Sequence, residues 1–291
     1  MADIDLKELK SLEILLGDPD PEVVQAVNNR ILELGRDALD YFVLRMEMIP
    51  RSNVDKKLVR RINSLYVELI LSELKREMST PYPDLTNGLY LLTALAKPTL
   101  KREEFDQAYI PVVEEVVKEL NSDGTAIENV QLMNHVFFNR FGIECVKEHS
   151  QGAKSVMVDD LFHCQKGFPV SVAIAYFLVA RNAGLPIYPI PTPATGFSAA
   201  YLYNDTTILA IDIGDKGKIF SVPSFIEAMR NMYPKSKLDD EQLLVAGDDK
   251  MVLGIYIESL SSFFEYENKE ALSKIYDKAS KIVGQRKILG N

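Results

Sequence analysis

Residues Pro169 to Ala183 are apolar on nearly every side, and no other stretch of the chain constrains the fold as strongly. A helix with no polar face must be enclosed by other elements. The longest apolar-rich run, Phe168 to Ala180, contains Ser171 and ends at Arg181, and is too short for a membrane span, which needs about 20 apolar residues. The stretch therefore predicts a central buried helix, stopped by Gly184-Leu185-Pro186, with the rest of the chain as its shell.

The sequence before it supplies helices. Leu6, Leu9, Leu12, Leu15 and Leu16 recur at helical spacing, and Gly17-Asp18-Pro19-Asp20-Pro21 ends that run. Asp20 is a natural N-cap, with Pro21 at the first helical position and Glu22 in the first turn. Val23, Val27, Ile31 and Leu34 form the next stripe, closed by Gly35. Asp37 to Met48 reads as a third helix, in a rhythm resembling one HEAT-like repeat. Asp55 to Met78 is a longer amphipathic helix, a second opens at Asp84 or Thr86, and Lys101 to Leu120 and Ala126 to Phe141 add two more.

Strand patterns begin only after the buried helix: Ile187 to Ile190, Phe197 to Tyr203, Thr207 to Asp212 and Lys218 to Val222. Asn204-Asp205 suits a hairpin turn. A short helix follows from Ser224 to Tyr233, and Asp248 to Tyr266 with Lys269 to Ile282 make a tetratricopeptide-like helical hairpin that must pack on the body. The fold class is α+β. Its units are an N-terminal helical unit (1–120), a core with a small antiparallel sheet (121–235) and the C-terminal hairpin (236–291).

Hydrophobic residues make up 47% of the chain and charged residues 26%, which argues against long disorder. A net charge of −9 repels phosphate backbones and anionic lipid, so neither a nucleic acid nor a membrane is expected as partner. Two cysteines, Cys145 and Cys164, fit a reducing compartment, and the opening Met1-Ala2-Asp3-Ile4-Asp5 has no basic-then-apolar leader; the reading is cytoplasmic.

The order of parts, a buried helix, Gly-x-Pro, then a hairpin ending in Asp, resembles a transglutaminase-like core. The run Asn129 to Ile143, containing Leu132-Met133-Asn134-His135 and Phe141-Gly142-Ile143, is similar to a helix of the SirB-type bacterial family with that core. Lys166-Gly167-Phe168-Pro169-Val170-Ser171-Val172 resembles its "RGIPISL" segment, and Ala180-Arg181-Asn182-Ala183-Gly184-Leu185-Pro186 its "ARRLGLP". Asp18-Pro19-Asp20-Pro21-Glu22-Val23 matches an upstream opening, and Asp212 stands where the family has the Asp of "IDPF". The number, order and spacing of these short motifs carry the resemblance over most of the chain.

Active relatives, the resemblance implies, start the buried helix with a nucleophilic Cys, whose thiol the helix N-terminus activates, and use a strand His as base and an Asp to orient it. Here the nucleophile position falls on Pro169 and the base position on Phe197; only Asp212 remains. Of the other candidates, Cys164 lies upstream of the helix beside His163, and adjacent residues rarely aim at one substrate. Cys145 with His149 reads as a packing cysteine near a surface histidine, Ser171 as a helix–core contact, and His135 as a satisfied core histidine. The scattered histidines and cysteines make no metal pattern, and no cofactor is implied. Asp212 is expected to turn to backbone N–H groups near Gly214, with Phe197 filling the cleft. The resulting expectation is a non-catalytic transglutaminase-like protein with a regulatory or protein-binding role. The alternative is a cysteine-dependent amide hydrolase or acyltransferase using a displaced thiol.

Overall fold

The computed structural model describes residues 5–48, 55–121, 123–146, 152–192, 196–234 and 238–284. The fold is α+β, with helices at both ends and a small antiparallel sheet. In chain order the helices are α1 (Leu6–Leu15), α2 (Pro21–Leu34), α3 (Arg36–Glu47), α4 (Lys56–Met78), α5 (Leu85–Ala96), α6 (Arg102–Glu119) and α7 (Ala126–Asn134). Then follow β1 (Glu144–Cys145), α8 (Val158–Cys164), β2 (Lys166–Gly167) and α9 (Pro169–Asn182). Strands β3 (Ile187–Thr192), β4 (Gly196–Tyr203), β5 (Thr206–Asp212) and β6 (Lys218–Ser221) lead to α10 (Val222–Met232), α11 (Asp249–Tyr266) and α12 (Glu270–Val283).

Aspartate caps set many of these boundaries. Asp5, Asp20, Asp55, Asp84 and Asp248 each accept a first-turn backbone N–H, at the start of α1, α2, α4, α5 and α11. Each such cap is typically worth about 1 kcal/mol. Several boundaries differ from the sequence reading by one or two residues. Helix α10 begins at Val222 and is capped by Ser221, not Ser224, because the Ser221 hydroxyl accepts the Ser224 N–H. The single helix read over Ala126 to Phe141 changes to π-helical winding over His135–Arg140. His135 opens that segment on the face that already exposes Gln131 one turn earlier; its Nδ1 lies 3.5 Å from the Asn139 amide, and it is not a core histidine.

Helix α9 is central. Every residue from Ser171 to Ala180 is buried, and α6, α8, α11, β3 and β4 pack around it. The sheet runs β3-β4-β5-β6 as a meander, turned between β4 and β5 by Asn204 and Asp205, both at positive φ. Period-two alternation divides its side chains between two layers. Ile187, Ala199, Tyr201 and Ile211 join the core around α9, whereas Ile190, Ala200 and Ala210 meet Phe225 and Met229 of α10. The sheet is thus sandwiched between α9 and α10.

Helix α4 joins two cores. Ile62, Leu65, Tyr66 and Leu69 pack with α1–α3, while Ile70, Leu74 and Met78 belong to the large cluster that extends to α12. The C-terminal hairpin is held to that cluster by Tyr276, which stacks on Phe264 and donates its hydroxyl to the Leu92 carbonyl on α5 at 2.9 Å. No described helix is long and apolar enough to cross a membrane.

Candidate functional site

Proline at the first turn of a helix supplies a fixed φ and leaves no orphan N–H, and Pro169 does this for α9. The short parallel bridge β1–β2 holds the chain just before it. Glu144 N–H donates to the Gln165 carbonyl and Val146 N–H to the Gly167 carbonyl, both at 2.8 Å. Phe168 N–H donates to the Ser155 carbonyl at 2.8 Å, and the buried Ser171 hydroxyl to the Val156 carbonyl at 2.9 Å. The start of α9 is therefore pinned from two sides.

The bridge brings Cys145 beside Gly167, two residues before Pro169. Cys145 is a free thiol, half-buried, and within electrostatic reach of Asp212. Burial first, and the negative charge of Asp212 second, push its thiol up to about 11. A nucleophilic thiol needs the reverse, a cationic neighbour or a helix N-terminus that favours thiolate. A thiol pushed upward in this way disfavours the thiolate at neutral pH.

Asp212 ends β5 across from Lys218 of β6. Its carboxylate accepts the Asp215 N–H at 3.2 Å, and its carbonyl accepts the Gly217 N–H at 2.9 Å. The intervening turn passes through Lys216 and Gly217 at positive φ. Asp212 thus closes the turn that returns the chain to β6. The backbone of Phe197 lies in β4 opposite Pro191; its side chain falls outside the described residues.

Cys164 is the last residue of α8, half-buried, at the helix pole that does not assist a thiolate. His163 beside it is exposed. His149 lies outside the described residues. Among the described residues no group of His, Cys, Asp or Glu is arranged to hold a metal ion. Pro169, Cys145 and Asp212 are thus gathered near one end of α9, while Cys164 and His163 make no pair with them. Two relationships had no signal in the sequence. Cys145, set beside Gly167 by a two-residue bridge too short to show periodicity, comes within electrostatic reach of Asp212 at the end of β5. Asn134, Tyr176 and Gly217 are joined through side-chain hydrogen bonds that no spacing encodes.

A buried helix whose first turn abuts a short bridge and the end of an antiparallel meander defines the class of this protein. The profile of the transglutaminase-like superfamily matches residues 104–255, from α6 into α11, over half the chain. The chain belongs to the transglutaminase-like superfamily. No curated protein and no solved structure matches it.

Proposed function

We propose that this chain is a SirB-type member of its superfamily that has lost acyl transfer and acts through protein–protein contact. The observation that carries this reading is Pro169 at the first position of α9, the place the resemblance gives to the nucleophile. Proline has no group to attack a carbonyl. Phe197 at the base position has no proton to move. Asp212, the remaining member, is occupied in the turn to β6. On this reading the helical units 1–120 and 236–291 frame the core and carry the contact surfaces, and the protein works in the cytoplasm without a cofactor.

One observation favours a second reading, a hydrolase or acyltransferase with a displaced thiol: Cys145 lies close to both the start of α9 and Asp212. Its raised pKa weighs against it, since a displaced nucleophile still has to ionise. Incubation of the full chain with a generic glutamine or amide substrate, with an iodoacetamide profile near neutral pH, separates the two. The binding reading expects no turnover and slow labelling at Cys145. Thiol-dependent turnover abolished by Cys145→Ala or Cys164→Ala overturns it.

A further inference from the structure

A cleft of about 550 Å³ opens where α3, α4, α5 and α6 meet, far in sequence from the start of α9. Three arginines from three different helices line it: Arg36, Arg76 and Arg102. Such convergence is unexpected in a chain of net charge −9.

Two of the three are held rigidly. Arg36 is gripped by Glu73 through Nε and Nη2, the latter at 2.7 Å. Arg102 is gripped by Asp106 through Nε at 2.8 Å, and its Nη1 donates to Asn87 Oδ1 at 3.2 Å. Both guanidinium carbons lie over the ring of Tyr90, at 5.2 Å and 5.5 Å from its centroid. These contacts fix the orientation of two normally mobile heads, which lowers the entropy lost when they bind. Arg102 also lies within hydrogen-bonding reach of the Tyr109 hydroxyl, whereas Nη1 of Arg36 keeps no partner among the described residues. Arg76, exposed in the last turn of α4, has no side-chain hydrogen bond or ion pair among the described residues.

The acceptors lining the cleft are already committed. Both oxygens of Glu73 face Arg36. Glu77 accepts from the Asp84 N–H at 2.8 Å and from the Asn87 amide at 2.6 Å. The Tyr90 hydroxyl is spent on the Leu100 carbonyl. What remains is a surplus of guanidinium N–H donors and no free carboxylate, which is the chemistry of anion capture and not of cation capture. Arg36 and Arg102 also stand at the first positions of α3 and α6, the positive poles of those helices.

We propose that this cleft binds a small phosphorylated metabolite through its phosphate. Donors approaching from three helices suit the tetrahedral oxygens of a phosphate better than the planar pair of a carboxylate. The cleft exceeds the size of a lone phosphate and falls within the usual range for a small-molecule site. Tyr90 is only 6% exposed and lies against the two guanidiniums, so no open aromatic face invites a nucleotide base. This inference is independent of the fate of the triad, because none of the lining residues belongs to α9 or to the sheet.

The test is calorimetric titration of the full chain at low ionic strength with sodium pyrophosphate and, separately, sodium citrate. Saturable one-to-one binding of pyrophosphate in preference to citrate is expected. Arg76→Gln should weaken it about tenfold or more, the loss of one charge-assisted contact. Arg76 has no structural partner to lose, so this variant should fold normally, and an unchanged melting temperature confirms that. Arg60→Gln, an exposed arginine outside the cleft, should leave the affinity within about twofold. The proposal is overturned by no saturable response to pyrophosphate, by a preference for citrate, by an unaffected Arg76→Gln, or by an equal loss in Arg60→Gln.

Discussion

The Tyr176 hydroxyl, buried within α9, donates to the side-chain carbonyl of Asn134 at 2.8 Å, and Asn134 in turn donates its amide N–H to the Gly217 carbonyl at 2.6 Å. This chain ties the central helix to the turn that follows Asp212. Gly217 sits at φ +77°, and a Cβ there would overlap the Asn134 side chain. Gly217→Ala therefore combines backbone strain with a steric clash at a partly buried hydrogen bond. It should cost about 3 kcal/mol or more. Tyr176→Phe leaves only an unsatisfied acceptor and should cost about 1–3 kcal/mol. Urea unfolding of both variants measures the order; a Gly217→Ala loss smaller than that of Tyr176→Phe would show that the turn moves freely away from Asn134.

Phe177 tests the central position of α9 directly. It is 2% exposed and lies in the large cluster. Phe177→Ala should cost about 3–5 kcal/mol, from lost burial together with the cavity left behind. A loss under about 1 kcal/mol by chemical denaturation would be incompatible with a tightly packed α9.

Much of this architecture was legible because it is local. The Asp20-Pro21 start, the Asn204-Asp205 turn and the all-apolar run from Val172 to Ala180 are each written within a few residues. What escaped is what depends on the third dimension. His135 has apolar neighbours in sequence, yet it continues the solvent face marked by Gln131 and Asn139, one turn to either side. Cys145 reads as a loop residue, because a two-residue parallel bridge leaves no alternation to detect. The arginine cleft draws single residues from separate helices, and each of them alone looks like part of an ordinary solvated face.

Cys145 offers a pH test. Its pKa is raised from about 9 to about 11, chiefly by burial and secondarily by Asp212. The folded state therefore holds this proton more tightly than the unfolded chain does. The stability linked to it is complete below pH 9 and is lost as pH rises through 11. Alkylation of Cys145 in the folded protein should likewise stay slow at pH 7–8 and accelerate only as the thiolate forms at higher pH. Asp212→Asn removes the secondary cause alone, so the midpoint should fall while remaining above that of an exposed thiol. Mass-spectrometric labelling rates across the pH range give both midpoints; an unmoved midpoint in Asp212→Asn would mean that the carboxylate does not act on the thiol.

Arg181 connects the end of α9 to the start of α11. It pairs with Asp249 at 2.5 Å and lies over the Tyr188 ring at 4.4 Å. Asp249 is pulled in opposite directions: burial raises its pKa, Arg181 lowers it, and the net direction is upward. Removing Arg181 takes away the opposing influence and leaves a half-buried carboxylate without its cation. In Arg181→Ala the Asp249 pKa should therefore rise further. The destabilisation must then grow with pH, because the penalty falls only on the ionised carboxylate. At pH 4 a larger share of Asp249 is protonated than at pH 7, and the loss there comes chiefly from the Tyr188 contact and the packing of the arginine stem. At pH 7 it bears in addition the cost of an uncompensated charge, and Arg181→Ala,Asp249→Asn should recover part of that difference. Thermal unfolding of the wild type and both variants at the two pH values provides the measurement. Equal losses at pH 4 and pH 7 would show that Arg181 serves through packing alone and that Asp249 finds its solvation elsewhere.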